Sequence, residues 1–335
     1  MMMLDYSIVI CTYNPDERIF SRCLNAVGNL NKEGLKVEIL LIDNNSSVPV
    51  DTLNCVKRLF LKEPSSRSIL VKEQGLTHAR NKGIETSQGK NVIFFDDDNE
   101  PDIDYLQVLH KLNSDFVHVA AWGPGRVAVD FIDGIEDKSL ETFARKSFQE
   151  RNTDYIAYSN LKSWQECYPF GTGLCVRADL LRMYLDLFRR GVFSMKDRTG
   201  NQMTSGGDTQ VVLFCIKQGY AAGVSPDLKM THMIPGKRTK YDYLKRLNYG
   251  AGSCYCSLLV EVFPEHKQMV QEIAIKPSEF SKTVVKKYFK FSIKKNPRKQ
   301  LEFIKYIAGN CDVYNVTGHP IPKSVKWVLS KLELN

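Results

Sequence analysis

Apolar positions in the first hundred residues follow two alternating rhythms. Tyr6–Cys11, Val37–Ile42, Ile69–Val71 and Asn91–Phe95 are short continuous apolar runs, bounded by turn formers such as Asn14-Pro15 and Asp43-Asn44-Asn45-Ser46-Ser47. Runs of this kind predict buried strands. Between the first two, Asp16–Leu30 places Ile19, Cys23, Leu24, Val27 and Leu30 on one stripe at helical spacing. Leu53–Phe60 and Leu76–Thr86 predict further helices, the second broken near Gly83 and Gly89. Strands alternating with helices imply a mostly parallel sheet with both faces covered, hence an α/β fold. Farther on, Val117–Trp122 and Arg126–Val129 predict two strands around Gly123-Pro124-Gly125, and Leu174–Val176 a third. Ala178–Arg189 and Thr209–Lys217 predict helices, the latter closed by Gly219. From Lys240 onward the pattern is helical, with breaks at Pro264, Pro277 and Pro297.

Composition adds little except through charge. With 43% hydrophobic and 25% charged residues over 335 positions, the chain is ordinary for a globular protein, large enough for one big domain or two. The net charge of +8 is uneven: from Lys276 to Asn335 there are 13 basic and 4 acidic residues, which leaves the rest of the chain at −1. A near-neutral body therefore carries a basic tail. No run reaches the ~18–20 apolar residues of a membrane span, and the first residues lack a basic stretch followed by a long apolar one. The expected location is the cytoplasm. Nine scattered cysteines without a Cys-x-x-Cys pair read as reduced, apolar-like thiols; Cys254-Tyr255-Cys256 is a weak metal or redox signal.

The first chemical signal is where the carboxylates fall. Thr12, Asp43 and Asp96-Asp97-Asp98 stand at the predicted C-terminal ends of strands, where open α/β sheets bind ligands. Three adjacent aspartates raise one another's pKa unless a cation intervenes. A hard divalent ion, Mn²⁺ or Mg²⁺, is one solution; a solvated acidic turn or a helix N-cap is the other.

At this point the chain resembles a known family. SIVICTYNPDERIFSRCLNAV (Ser7–Val27), ILLIDNNSS (Ile39–Ser47) and EQGLTHARNKGIETSQGKNVIFFDDDNEPD (Glu73–Asp102) resemble, in order, the first strand and helix, the nucleoside-binding turn and the Asp-x-Asp segment of family 2 glycosyltransferases. The resemblance implies the GT-A fold: a Rossmann-like, mostly parallel sheet with helices on both faces, here followed by a C-terminal helical extension. It implies that Thr12, Tyr13 and Asn14 line the nucleotide pocket, that Asp43 accepts a hydrogen bond from the base, and that Arg80 contacts the nucleotide. Asp96 and Asp97 would face the nucleotide, with Asp98, Asp96 and His232 as metal ligands. Capping of the next turn by Asp43 and solvation of Arg80 are the alternative readings of those residues.

Gly206-Gly207-Asp208-Thr209-Gln210 resembles the family's Gly-Glu-Asp segment, whose final carboxylate is the general base. Asp208 matches that position; Gly207 replaces an acidic residue that contacts acceptor or structure. Read alone, Asp208 is a helix N-cap. Gly171, Thr172 and Gly173 resemble the small-residue stretch beside the donor sugar, and Arg238, with Lys240 and Arg246, is a candidate diphosphate clamp. The implied activity is inverting transfer of a sugar from a UDP-sugar to a glycan or lipid-linked acceptor, in cell-surface polysaccharide or glycoconjugate synthesis. Absence of Gln-x-x-Arg-Trp sets it apart from processive synthases. A sugar nucleotidyltransferase and an inactive binding module at the membrane are the alternatives, the former disfavoured by Thr12-Tyr13-Asn14-Pro15 where a Gly-rich phosphate loop would stand. The expected organisation is a catalytic domain over 1–240, with a nucleotide-binding half to 110 and an acceptor half from 111, then a helical region over 241–335. In that region residues 281–300 contain eight basic and no acidic residues, with Phe280, Val284, Val285, Tyr288 and Phe291 near one helical face. This pattern fits peripheral binding to an anionic cytosolic membrane face, or a packed helix with a solvated basic side; no nucleic-acid module accompanies it.

Overall fold

Strand formation here follows from pairing in register, and the register sets the functional rim. The computed structural model describes residues 4–194, 203–293 and 296–334. Its strands in chain order are β1 (Leu4–Thr12), β2 (Val37–Asp43), β3 (Ser66–Leu70), β4 (Gly89–Asp96), β5 (Asn99–Pro101), β6 (Val119–Phe131), β7 (Arg151–Asn152), β8 (Ala157–Ser159), β9 (Leu174–Arg177) and β10 (Ala221–Ile234). They form one sheet in the order β3-β2-β1-β4-β9-β6-β10-β5, with β7 beside β6 and β8 beside β10. The first four run parallel, and β6 and β10 run parallel to each other. Strand β9 is antiparallel to both β4 and β6 and joins the two halves.

Successive side chains of a strand point to opposite faces. Ile8 and Ile10 enter one core cluster, covered by helices Glu17–Gly28, Asn54–Lys62 and Tyr105–Asp115. Val9 and Cys11 enter the other, under Leu76–Thr86, Ala178–Arg189, Gly207–Lys217 and Tyr255–Val262. The expected alternation and the two covered faces are thus present. Among the described residues no disulfide links the cysteines, most of which are buried.

Several expected breaks are contacts instead. Gly83 lies inside the helix Leu76–Thr86, where a Cβ would come within 2.5 Å of Val9. The two strands predicted around Gly123-Pro124-Gly125 are the single strand β6: Cβ atoms at Gly123 and Gly125 would fall 2.5 Å from Pro169 and 2.6 Å from the Ser225 backbone. These glycines permit close approach within a strand rather than ending it. Pro277 and Pro297 begin helices, Pro277–Ile293 and Pro297–Thr317, where a missing N–H costs nothing. No described helix is long and apolar enough to cross a membrane.

The C-terminal helices form a third apolar cluster. Leu244, Phe280, Leu301, Ile304 and Val328 pack there with Val129 of β6 and Ile234 of β10, near the C-terminal ends of those strands. Asp312, fully buried on Pro297–Thr317, caps the helix Tyr255–Val262 by accepting from the N–H groups of Cys256 (2.5 Å) and Ser257 (3.3 Å) and from the Ser257 hydroxyl. Asp312→Ala is expected to leave these donors unsatisfied and to cost about 1–3 kcal/mol in urea unfolding; an unchanged midpoint would contradict this tie.

Candidate active site

Parallel register brings the predicted strand-end residues to one rim. Thr12 pairs with Asp43, and Cys11 with Asp96. Thr12 Oγ1 donates to Asp97 Oδ2 at 2.6 Å, linking the ends of β1 and β4. Asp43 is buried, and its two oxygens accept from the N–H groups of Ser46 (2.9 Å) and Val50 (3.2 Å). The alternative role, capping the loop after β2, is therefore formed; a nucleobase N–H would add a third bond to this carboxylate. Asn14 takes a positive φ of 48° and is stitched to the same loop: its N–H donates to Ser46 Oγ (2.9 Å), and its side-chain oxygen accepts from Ser47 N (2.8 Å). Tyr13 beside it is half exposed. Asn44, which the sequence reading passed over, accepts from Gly75 N (2.7 Å) and donates to the Glu73 carbonyl (2.8 Å), fixing the approach to the helix that carries Arg80.

The aspartate triplet divides into three environments. Asp96 is partly exposed, with Oδ1 3.8 Å from Arg80 Nη2. Desolvation and then the charge of Asp98 push Asp97 up to about 7. Asp98 is only 7% exposed. Burial alone would raise it, but His232 and Arg238 outweigh burial and hold its carboxyl well below the usual range. Its Oδ1 accepts from Asn99 Nδ2 (3.0 Å), while Oδ2 pairs with Arg238 Nη1 and lies 3.4 Å from His232 Nε2. The fully buried Asn99 also accepts from Asp96 N at 3.0 Å, so one side chain fixes both ends of the turn.

His232 lies within β10, in the last stretch of that strand, which still pairs with β6. The three-residue strand β5 runs antiparallel to β10 and pairs Asn99 with His232. His232 Nδ1 is 2.8 Å from the Phe148 carbonyl oxygen. That oxygen can only accept, so Nδ1 carries a proton and Nε2 is the atom turned to Asp98. His232 Nε2 and Asp98 Oδ2 face one another at 3.4 Å, close enough to hold a cation between them. The donor set thus suits a divalent cation, although no group of three or more His, Cys, Asp and Glu arranged to hold a metal occurs among the described residues. In the present arrangement Arg238 supplies positive charge. Its guanidinium lies against the rings of Phe148 (5.3 Å) and Tyr243 (5.5 Å), and its buried Nε has no hydrogen-bond partner.

Asp208 is the second residue of the helix Gly207–Lys217, two positions beyond the N-cap Gly206, so the N-cap reading of Asp208 is corrected. Its carboxylate still sits at the favourable positive end of the helix. It lines a cleft with Thr77, Arg80, Asn81, Gly171 and Gly207. A Cβ on Gly171 would fall 2.6 Å from Asp208 Oδ2 and 3.0 Å from Arg80 Nη2, so only glycine lets both groups converge there. Gly173 has φ 72°, and a Cβ there would meet the Tyr105 hydroxyl at 2.6 Å. Between them, Thr172 is buried with its hydroxyl unpartnered.

The family model described as "Glycosyl transferase family 2" matches residues 7–182. The chain belongs to that family. The doubly covered, mostly parallel sheet is the GT-A arrangement the motifs implied. Among relatives of this family 2 chain, glycosyltransferase AglE of Haloferax volcanii is 36% identical over 103 residues, 30% of this chain and 33% of that protein. The cholesterol galactosyltransferase of Borreliella burgdorferi is 32% identical over 118 residues, 33% of this chain and 31% of that protein. The chain thus spans about a third of the length of these relatives. TarS of S. aureus, solved over residues 1–349 alone and with UDP-GlcNAc, is 15% and 14% identical, with a TM-score of 0.48 in both cases. Each comparison covers 98% of this chain and 85% of TarS 1–349.

Gly171→Ala is expected to push Asp208 or Arg80 aside. Turnover should fall by about 10²-fold, the usual penalty for misplacing a reacting group by an ångström, with the thermal midpoint retained. Full turnover in that variant would show that the convergence above Gly171 has no part in the chemistry.

Proposed function

We propose that this family 2 chain is an inverting, metal-dependent transferase that moves a sugar from a UDP-sugar to a hydroxyl of a glycan or lipid-linked acceptor, in cell-surface polysaccharide or glycoconjugate synthesis. The observation that carries the reading is the convergence of Asp208 and Arg80 in one cleft, with Arg80 in turn beside Asp96. A proton acceptor and a cationic group then stand next to the aspartate rim. Residues 1–240 would form the catalytic domain, with a nucleotide-binding half to 110 and an acceptor and catalytic half from 111, and residues 241–335 a helical support. The site would work at the cytosolic face of the membrane.

In this mechanism Thr12, Tyr13, Asn14 and Asp43 hold the nucleoside in the crevice beyond β1 and β2, and Gly171–Gly173 let the donor sugar approach the backbone. Asp98 and His232, with Asp96, would hold Mn²⁺ or Mg²⁺, which when bound supplies positive charge to the leaving diphosphate. Arg80 and Arg238 add fixed cationic charge on the same side. Asp208 accepts the proton of the acceptor hydroxyl as that oxygen attacks the anomeric carbon from the face opposite the diphosphate. One displacement through an oxocarbenium-like state inverts the configuration. Gly207 leaves room where the family's usual acidic residue would stand, which points to an acceptor contact made differently here.

Asp208→Asn removes the proton acceptor while preserving shape. Transfer is expected to fall by about 10²–10⁴-fold, with UDP affinity by calorimetry near wild type. Unaltered turnover would reject Asp208 as the base, and a wild-type chain that neither transfers nor hydrolyses any of a panel of nucleotide sugars would reject the enzymatic reading.

A further inference from the structure

The apolar stripe that the sequence offers to lipid is already used. Phe280 and Val284 are buried, and Val285, Tyr288 and Phe291 pack against the third core cluster. A different stripe faces outward. On Pro277–Ile293 the exposed residues include Lys282, Lys286, Phe289, Lys290 and Ile293, at helical spacing. On the adjoining helix Lys323–Lys331 they include Lys323, Lys326, Trp327 and Lys331. The two helices pack side by side, and the Trp327 ring lies 6.3 Å from Phe289 and 5.4 Å from Tyr288. Three large apolar side chains thus stay open on one lysine-rich face: Phe289 at 54%, Ile293 at 83% and Trp327 at 43% exposure. No acidic residue occurs from Phe280 to Leu301 or from Val313 to Leu332.

We propose that this two-helix face seats the protein on an anionic lipid bilayer, with Phe289, Ile293 and Trp327 entering the headgroup region and the lysines meeting lipid phosphates. Charge complementarity selects this occupant. Lysine is depleted at protein–protein interfaces, whereas a lysine-rich face with exposed aromatic and aliphatic side chains is the pattern of interfacial helices. The layer bearing the face packs on Val129 and Ile234, and its cluster includes Phe148, the residue whose carbonyl orients His232. Docking would therefore hold the candidate site's end of the sheet through this packed layer. This inference adds to the transferase reading and does not depend on it.

The test is flotation of the full chain with vesicles of phosphatidylcholine alone or mixed with phosphatidylglycerol. Wild type should float with the mixed vesicles only, and less as salt is raised. Reversing three lysines together (Lys286→Glu, Lys290→Glu, Lys326→Glu) should weaken binding by at least about 10²-fold. The exposed pair Phe289→Ser and Ile293→Ser should weaken it while leaving the thermal midpoint and donor hydrolysis unchanged. Brominated lipids should quench Trp327 emission, read as the part of the signal lost in Trp327→Phe. Equal flotation of wild type and both variants would overturn the proposal. So would equal binding to neutral vesicles, or a wild-type chain that ignores vesicles and binds RNA or a second copy of itself through this face. A chain that floats but transfers no sugar would contradict the transferase reading and leave this one standing.

Discussion

A carboxylate taken out of water must meet positive charge or take up a proton, and much of the candidate site is arranged around that constraint at Asp98. The short pairing of Asn99–Pro101 with β10 places His232 opposite Asn99 and so next to Asp98. Asn99 fixes one carboxylate oxygen, and Arg238 and His232 share the other. Without the pairing, the third aspartate of the run would be a solvated turn, one of the bland readings its sequence allows.

The compensation reaches beyond the sheet. Phe148 orients His232 through its carbonyl and stacks near Arg238 through its ring, while itself belonging to the cluster that holds the C-terminal helices. The helical layer therefore supports the charge balance of the site as well as covering the sheet. Arg238 and a divalent cation are two ways to neutralise the same oxygen.

Much of this was legible in the sequence, for identifiable reasons. The apolar period of β1, β2 and β4 is set by burial on both faces, so strand ends, and with them Thr12, Asp43 and Asp96, could be read directly. The helix Leu76–Thr86 was found in full, but Gly83 misled because close packing on Val9 and a helix break favour the same residue type. Strand β5 is three residues long and carries no period, so the partner of His232 and the role of Asn99 were hidden. The tail reads as amphipathic from sequence, with lipid binding and packing on the body both open, and its stripe of Phe280, Val284, Val285, Tyr288 and Phe291 is packed on the body. Hydrophobicity marks what is buried, and only the packing of Pro277–Ile293 against its neighbours reveals which apolar residues remain outside. For Asp43 both readings survived from sequence, and the loop-capping bonds are the ones formed.

In the proposed function Asp98 and His232 together would hold a cation used with the nucleotide. Mn²⁺ binding in the presence of UDP, followed by calorimetry or by the electron paramagnetic resonance of free Mn²⁺, tests it most directly. The account predicts binding by the wild-type chain and a loss of at least about 10-fold in affinity for both Asp98→Asn and His232→Gln, since each removes one ligand from a small donor set. Undiminished Mn²⁺ affinity in both folded variants would contradict it.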